Sequence, residues 1–157
     1  MLVEVHCERQ MTDDVTDPLR DAFTIGVQPT LEQDVAFGIR QIVDIALKAL
    51  SPAINDPTTA RMCIDQLSAL LVALATRKFP SRLRRAEGRL RVIAERPSFE
   101  ALLALSIEEI HLAAREQPIV LRQLVRVLRM IAETTQSSSR RLSVLTLLSR
   151  IGVADSG

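Results

Sequence analysis

The stretch Ala49-Leu-Ser-Pro-Ala-Ile-Asn-Asp-Pro-Thr-Thr-Ala60 decides how this chain folds. A helical pattern runs up to it and another runs away from it, so it reads as the elbow between two helices. Pro52 disfavours helical geometry at Ser51 and ends the first helix. Asn55 or Asp56 then offers a side-chain acceptor at the N-cap. Pro57 takes the first helical position, where its missing N–H is no loss. The second helix is expected from Pro57 to near Thr76, with Ala60, Ile64, Leu67, Leu71 and Leu74 on its apolar stripe.

Working back from the elbow, the first helix is expected to begin near Thr30, where Thr30 and Gln33 have capping-box spacing. Leu31, Val35, Ile39, Ile42, Val43, Ala46 and Leu50 follow at helical spacing. Arg40, Asp44 and Lys48 stand at four-residue steps on another side, suited to an ion ladder. Before the helix, residues 1–9 alternate briefly like a short strand. Residues 10–21 read as a surface loop or a short helix starting at Asp17-Pro18.

Working forward, residues 77–91 hold seven bases and one acid. Glu87-Gly88 suits a hairpin turn, with Arg89 to Ala94 as one strand that can pair with the N-terminal one. A third helix opens at Ser98 behind Pro97 and carries Phe99, Leu102, Leu103, Ser106, Ile110 and Ala113 inward. Pro118 fits the first turn of a fourth, with Leu121, Leu124, Val125, Leu128 and Ile131 inward. Arg122, Arg126, Arg129 and Glu133 form its opposite ridge. Ser137 to Ser139 reads as a linker, and a last helix from Arg140 to Ile151 uses Leu142, Leu145 and Leu148. The expected fold is mainly α. It is a bundle of about five amphipathic helices with a small β element, an N-terminal strand plus a hairpin near 82–94. Residues 1–157 are expected to form one domain: strand and loop to 29, the helix pair over 30–76, the basic hairpin or loop over 77–97, and the C-terminal helices over 98–151.

The bulk numbers agree. A chain of 157 residues with 47% hydrophobic and 25% charged residues can build its own core. With 3% aromatics and no Tyr or Trp, base stacking is not a main activity. The formal charge of +1 hides an asymmetry: residues 1–60 carry ten acids and four bases, and the rest nine acids and sixteen bases. Such halves attract, within one fold or between chains, and favour a homo-oligomer. Leu105, Leu112 and Leu147 are surplus apolar positions that point the same way. Cys7 and Cys63 are far apart and read as free thiols in a reducing compartment. The N-terminus has no secretory signal. The longest uncharged apolar stretch, Gln66 to Thr76, has eleven residues where a bilayer span needs about 20.

No phosphate loop, dinucleotide fingerprint, CxxC pair, HExxH or nucleophile elbow is present. His6 and Cys7 are adjacent, which sends two strand side chains to opposite faces. Glu108 and His111 have the Glu-x-x-His spacing of di-iron bundles, but the second pair such a site needs is missing. No metal site and no cofactor is expected. The dense polar cluster lies around the elbow: Asp34, Arg40, Asp44, Ser51, Asn55, Asp56, Thr58 and Thr59, with Thr30 and Glu32 before them. The second helix turns its free N–H groups and positive dipole end to this corner, which suits a bound anion. The same residues also suffice as helix caps, and a capping Asp56 would itself fill the anion position. A second basic site is the run with Arg82, Arg84, Arg85, Arg89 and Arg91. With Phe79 as the one aromatic at hand, nucleic acid is not the expected partner. The plain reading is a solvated hairpin or a patch facing the acidic N-terminal half, with anionic lipid headgroups as a second partner.

The string from Thr30 to Ala60, TLEQDVAFGIRQIVDIALKALSPAINDPTTA, resembles the soluble C-terminal part of a bacterial family of predicted membrane proteins of unknown function. Phe99 to Ile131 is similar more loosely, so the resemblance covers most of the chain. It implies a place on the cytoplasmic side of the inner membrane, peripheral to it, for a portion without the transmembrane helices that begin family members. It carries over no catalytic residue. Because caps can be built from many sequences, so restricted a string weighs toward tighter geometry or a bound group at the elbow, beside the cap reading. Three functions follow as expectations. The first is a non-catalytic ligand-sensing or self-associating module, with a membrane protein or membrane surface as a further partner. The second is a small-molecule or metal-dependent enzyme using Asp34, Asp44 and Asp56. The third is lipid or nucleic-acid binding through the basic run.

Overall fold

A computed structural model of the chain describes residues 3–5, 12–21, 34–94 and 96–152. Its elements are β1 (Val3–Val5), α1 (Asp13–Asp21), α2 (Val35–Leu50), α3 (Pro57–Thr76), β2 (Leu83–Ala86), β3 (Arg89–Ala94), α4 (Phe99–Ala113), α5 (Pro118–Thr134) and α6 (Ser138–Gly152). The fold is mainly α with a small sheet, as the periodicity requires. Six helices stand among the described residues where five were expected, because the acidic N-terminal segment forms a helix of its own from Asp13, ahead of Asp17. The chain divides into two units, residues 1–30 with 78–96, and residues 31–77 with 97–157.

The smaller unit holds α1 and an antiparallel sheet in the order β1-β3-β2. β1 pairs with β3 in the register Val3 to Ala94 and Val5 to Val92, so the N-terminal strand and the hairpin do join. Between β2 and β3, Ala86 pairs with Arg89, which leaves Glu87-Gly88 as a two-residue turn. Both turn residues have positive φ, +53° and +77°. A tight hairpin needs that hand of backbone to match strand twist.

The larger unit is the bundle. α2 lies between α4 and α3, α3 between α2 and α5, and α5 between α3 and α6. α4 and α6 meet along a looser seam. The largest fully buried side chains among the described residues are Ile39, Val43, Ile64, Leu67, Leu71, Ile107, Ile110, Val120, Leu124, Leu128, Ile131 and Ile151. Each such side chain stabilises the fold by about 1.5–3 kcal/mol through removal from water. Most of the expected stripes hold, with shifts at their ends: Val35 is exposed, Leu74 and Val125 are half-buried, and Ala114 is buried in place of Ala113. Cys63 is a buried free thiol whose pKa is raised by that burial. His6 and Cys7 lie outside the described residues.

Three local expectations are corrected. The first bundle helix starts at Val35, because Asp34 is its N-cap and accepts hydrogen bonds from the N–H groups of Ala36 (2.9 Å) and Phe37 (3.3 Å). Thr30, Leu31 and Gln33 lie outside the described residues. Arg40 forms no ladder with Asp44 and instead reaches Glu109 on α4 at 4.0 Å, an exposed contact. The last helix begins at Ser138 and buries Val144, Leu147 and Ile151, while Leu142 and Leu145 face water.

That rotation of α6 has a clear cause. Arg140 and Arg141, at its start, each close the C-terminal end of another helix. Arg140 Nη1 donates to the carbonyls of Leu74 (3.2 Å), Ala75 (3.0 Å) and Arg77 (2.8 Å) at the end of α3. Its guanidinium also lies 5.4 Å from the centre of the Phe99 ring. Arg141 donates to Ala132 O (3.1 Å) and Thr135 O (2.9 Å) at the end of α5. A cation at a helix C-terminus meets both unpaired carbonyls and the negative dipole end. Apolar residues almost encircle α6, so these two anchors decide which of them turn inward. Leu147 is therefore core, Leu105 is half-buried, and of the three surplus leucines Leu112 stays exposed.

Candidate functional site

The elbow is built from backbone turns outward. Ser51 ends α2: its N–H and its Oγ both donate to Lys48 O, at 3.2 and 2.7 Å. The N–H groups of Ile54 (3.0 Å) and Asn55 (2.8 Å) return to Ser51 O, and that of Asp56 reaches Ala49 O (2.8 Å). Asn55 takes a left-handed conformation with φ +46°, which reverses the chain. Few side chains tolerate that region, and Asn is one of them.

Asp56 is the N-cap of α3, with Pro57 behind it in the first turn. Its Oδ1 accepts from the N–H groups of Thr58 (3.0 Å) and Thr59 (3.1 Å), and Thr59 Oγ1 donates to Oδ2 at 2.6 Å. The Thr59 hydroxyl, then the backbone N–H groups, hold the Asp56 carboxyl below the usual carboxylate range. The positive end of α3 thus already faces a carboxylate supplied by the chain itself.

The elbow is also tied to a distant connection. Gln117 Nε2, between α4 and α5, donates to Asn55 Oδ1 at 2.7 Å. Ser51, Asn55, Asp56, Thr58 and Thr59 therefore share one corner. Asp34 does not join them. It caps the opposite end of α2, about 25 Å away at 1.5 Å per residue. Asp44 is exposed between these ends, and Arg40 is engaged with Glu109. The three carboxylates Asp34, Asp44 and Asp56 do not converge. Among the described residues no three His, Cys, Asp or Glu side chains come together as metal ligands.

The basic run is divided by the sheet. Arg84 and Arg85 pair opposite Val92 and Leu90, with an irregularity between them, while Arg89 and Arg91 occupy the alternate positions of β3. Alternate strand positions face opposite ways, so these four arginines serve two faces. Arg85 donates to Gly88 O (3.2 Å) and Arg91 lies 3.8 Å from Glu87. Arg82 precedes β2, and its carbonyl accepts from the Ala94 N–H at 2.9 Å.

Two polar groupings escaped the reading of the sequence. Gln123 is buried on α5, donates to Asp65 on α3 and accepts from Arg126 (2.8 Å), which also lies 3.6 Å from Asp65. Its three- and four-residue spacing to Val120 and Val127, both buried, was a signal that it faces the bundle. The second grouping lies at the seam of α4 and α6. Arg150 Nη1 donates to Glu108 Oε1 at 2.9 Å, beside a cleft of ≈ 810 Å³. No spacing rule could bring residues 42 positions apart together.

Residues 1–130 match the family described as "Predicted membrane protein (DUF2254)", and the chain belongs to it. Uncharacterized proteins of Mycobacterium bovis and of two Mycobacterium tuberculosis strains are each 41% identical to it over 128 residues, which is 81% of this chain and 25% of theirs. The chain thus spans about a quarter of the length of these relatives. No solved structure matches it. α3 is long and apolar enough by length and composition to cross a membrane, and its stripe from Ala60 to Leu71 is packed inside the bundle.

Proposed function

We propose that this member of a membrane-protein family is a non-catalytic interaction module. It stands outside the bilayer on the cytoplasmic side and associates with a second copy of itself through the elbow end of α2 and α3. One observation carries the non-catalytic reading. Asp56 is engaged in capping the chain's own backbone and Asn55 in a tie to the Gln117 side chain, and the carboxylates that suggested chemistry lie apart.

The surface beside them supports association. Ile45 (53% exposed), Ile54 (50%) and Met62 (63%) are large apolar groups left in water. Ile45 and Met62 each stand five residues from the elbow, so an antiparallel pair brings them to one level, with Ile54 at the tip. Large apolar groups left in water at one end of a helix pair suit a contact surface. The excess of acids up to residue 60 and of bases beyond it makes a second copy a complementary partner.

Light scattering tests this. The chain is expected to exceed its monomer mass of 17.4 kDa at low salt and to lose mass as salt rises from about 50 to about 500 mM. Met62→Glu, at an exposed position, is expected to leave the helical spectrum unchanged and to give monomer. A monomer at every concentration, or a Met62→Glu variant that still associates, overturns the reading.

A further inference from the structure

The cleft at the seam of α4 and α6 does not depend on the reading above. Its walls include His111 and Leu112 from the end of α4, Arg115 from the turn after it, Leu121 from α5, and Leu147 and Arg150 from α6. Its ≈ 810 Å³ falls within the range of about 300–1,000 Å³ usual for small-molecule sites. A smaller cleft of ≈ 340 Å³ adjoins it along Glu108, Leu147 and Arg150, and extends between Leu103 and Leu142. The smaller cleft also carries Glu100, Ser143 and Thr146, so the apolar strip of the larger one, Leu112, Leu121 and Leu147, is the part that suits an alkyl chain. α6 follows the residues matched by the family, so half of this site lies beyond the shared region.

The charges at the mouth are unequal. Glu108 is engaged by Arg150, whereas Arg115 has no ion-pair partner among the described residues. One positive charge therefore remains over an apolar floor. His111 lines the same cleft, and its Nε2 is covered and meets no hydrogen-bond partner among the described residues. Covered polar atoms are nearly always paired, so this one marks a place where a partner is missing. Burial first, then the charges of Arg115 and Arg150, hold the imidazole pKa below its usual value, against the opposing pull of Glu108. Arg115 and Arg150 both line this one cleft, so each guanidinium can face an anion held in it.

We propose that this cleft binds a carboxylate carrying an aliphatic chain. The carboxylate lies between Arg115 and Arg150 beside His111, and the chain lies along Leu112, Leu121 and Leu147. Each half of the ligand meets its chemical counterpart. A bare anion gains little from the apolar floor, and a neutral alkyl chain gains nothing from Arg115.

Octanoate is the probe, with acetate and octanol as its polar and apolar halves. Calorimetric titration is expected to show octanoate binding at least tenfold more tightly than either. Octanoate is also expected to raise the titration midpoint of the His111 ring protons in NMR spectra, because an added negative charge favours imidazolium. Arg115→Gln is expected to weaken octanoate tenfold or more while leaving octanol unchanged, and Leu112→Asp to abolish it. Leu112 is 54% exposed, so that variant keeps its fold, checked by an unchanged thermal midpoint. Phosphatidylcholine vesicles doped with oleic acid separate two sources of the same chemistry. Competition with octanoate supports a ligand drawn from a bilayer, and its absence supports a free one. Octanol or acetate equal to octanoate, an unmoved His111 titration, or variants that bind like the parent would each overturn the site.

Discussion

Asn55 makes the sharpest test of the elbow, because its backbone and its side chain contribute separately. Its φ of +46° is a conformation that Ala adopts at a penalty of about 1–2 kcal/mol and Gly adopts freely. Its side chain accepts one exposed hydrogen bond from Gln117, worth about 0.5–1 kcal/mol. Asn55→Ala loses both contributions and should destabilise the chain by about 1.5–3 kcal/mol. Asn55→Gly loses only the bond, and should be milder by about 1–2 kcal/mol. Gln117→Ala should lose about 0.5–1 kcal/mol, and added to Asn55→Gly it should lose little more, since both remove the same bond. Urea unfolding at constant m-value reads these differences. For a chain of this size each kcal/mol moves the thermal midpoint by about 2–4 °C. If Asn55→Ala is no worse than Asn55→Gly, the left-handed turn is not what holds the elbow. If the losses of Asn55→Gly and Gln117→Ala simply add, the tie to Gln117 contributes nothing.

Three further outcomes follow from the same geometry. Asp56→Ala should lower the thermal midpoint at pH 7. Because the folded state holds this carboxyl below its usual range, the cap's contribution is complete above about pH 4 and is lost as pH falls through the folded value, so variant and parent should converge in strong acid. A gap that persists at low pH would assign the loss to something other than the charge. Arg140→Ala removes the Nη1 group that reaches three carbonyls, and should lose about 2 kcal/mol in urea unfolding; parity with the parent would show that these bonds do not hold the end of α3. Cys63 is buried and its thiol pKa is raised, so site-resolved alkylation at pH 8 should be slow in the folded chain and fast in urea. Fast labelling of the native chain would contradict its burial.

Much of the elbow was legible in the sequence because its determinants are local. Pro52, Asp56 and Pro57 act on backbone within a few residues, and Ser98 caps α4 by the same logic, accepting from the Ala101 N–H at 3.2 Å. The stripe of α5 was legible because its apolar positions lie on one side; those of α3 and α4 were legible from spacing although Met62, Leu70 and Leu112 lie on their exposed faces. α6 was not, since apolar residues nearly surround it and spacing gives no preferred face. Its direction came from Arg140 and Arg141, whose partners lie on other helices. The site followed the same division. That polar residues cluster near the elbow could be read directly. That Asp34 caps one end of α2 while Asp56 caps α3 at the other could not be weighed without knowing where the first helix begins.

By itself, then, the order of residues determined the helical class, the break at Ser51–Asp56, the Glu87–Gly88 turn and membership in a family of membrane proteins. These depend on dihedral preference, capping and periodicity, which act over one or two turns of chain. Only the tertiary structure decided which carboxylates stand apart, which face of α6 is buried, and that Glu108, His111, Arg115 and Arg150 surround one cleft. Those outcomes depend on contacts between residues tens of positions apart, and such contacts exist only after the helices have packed.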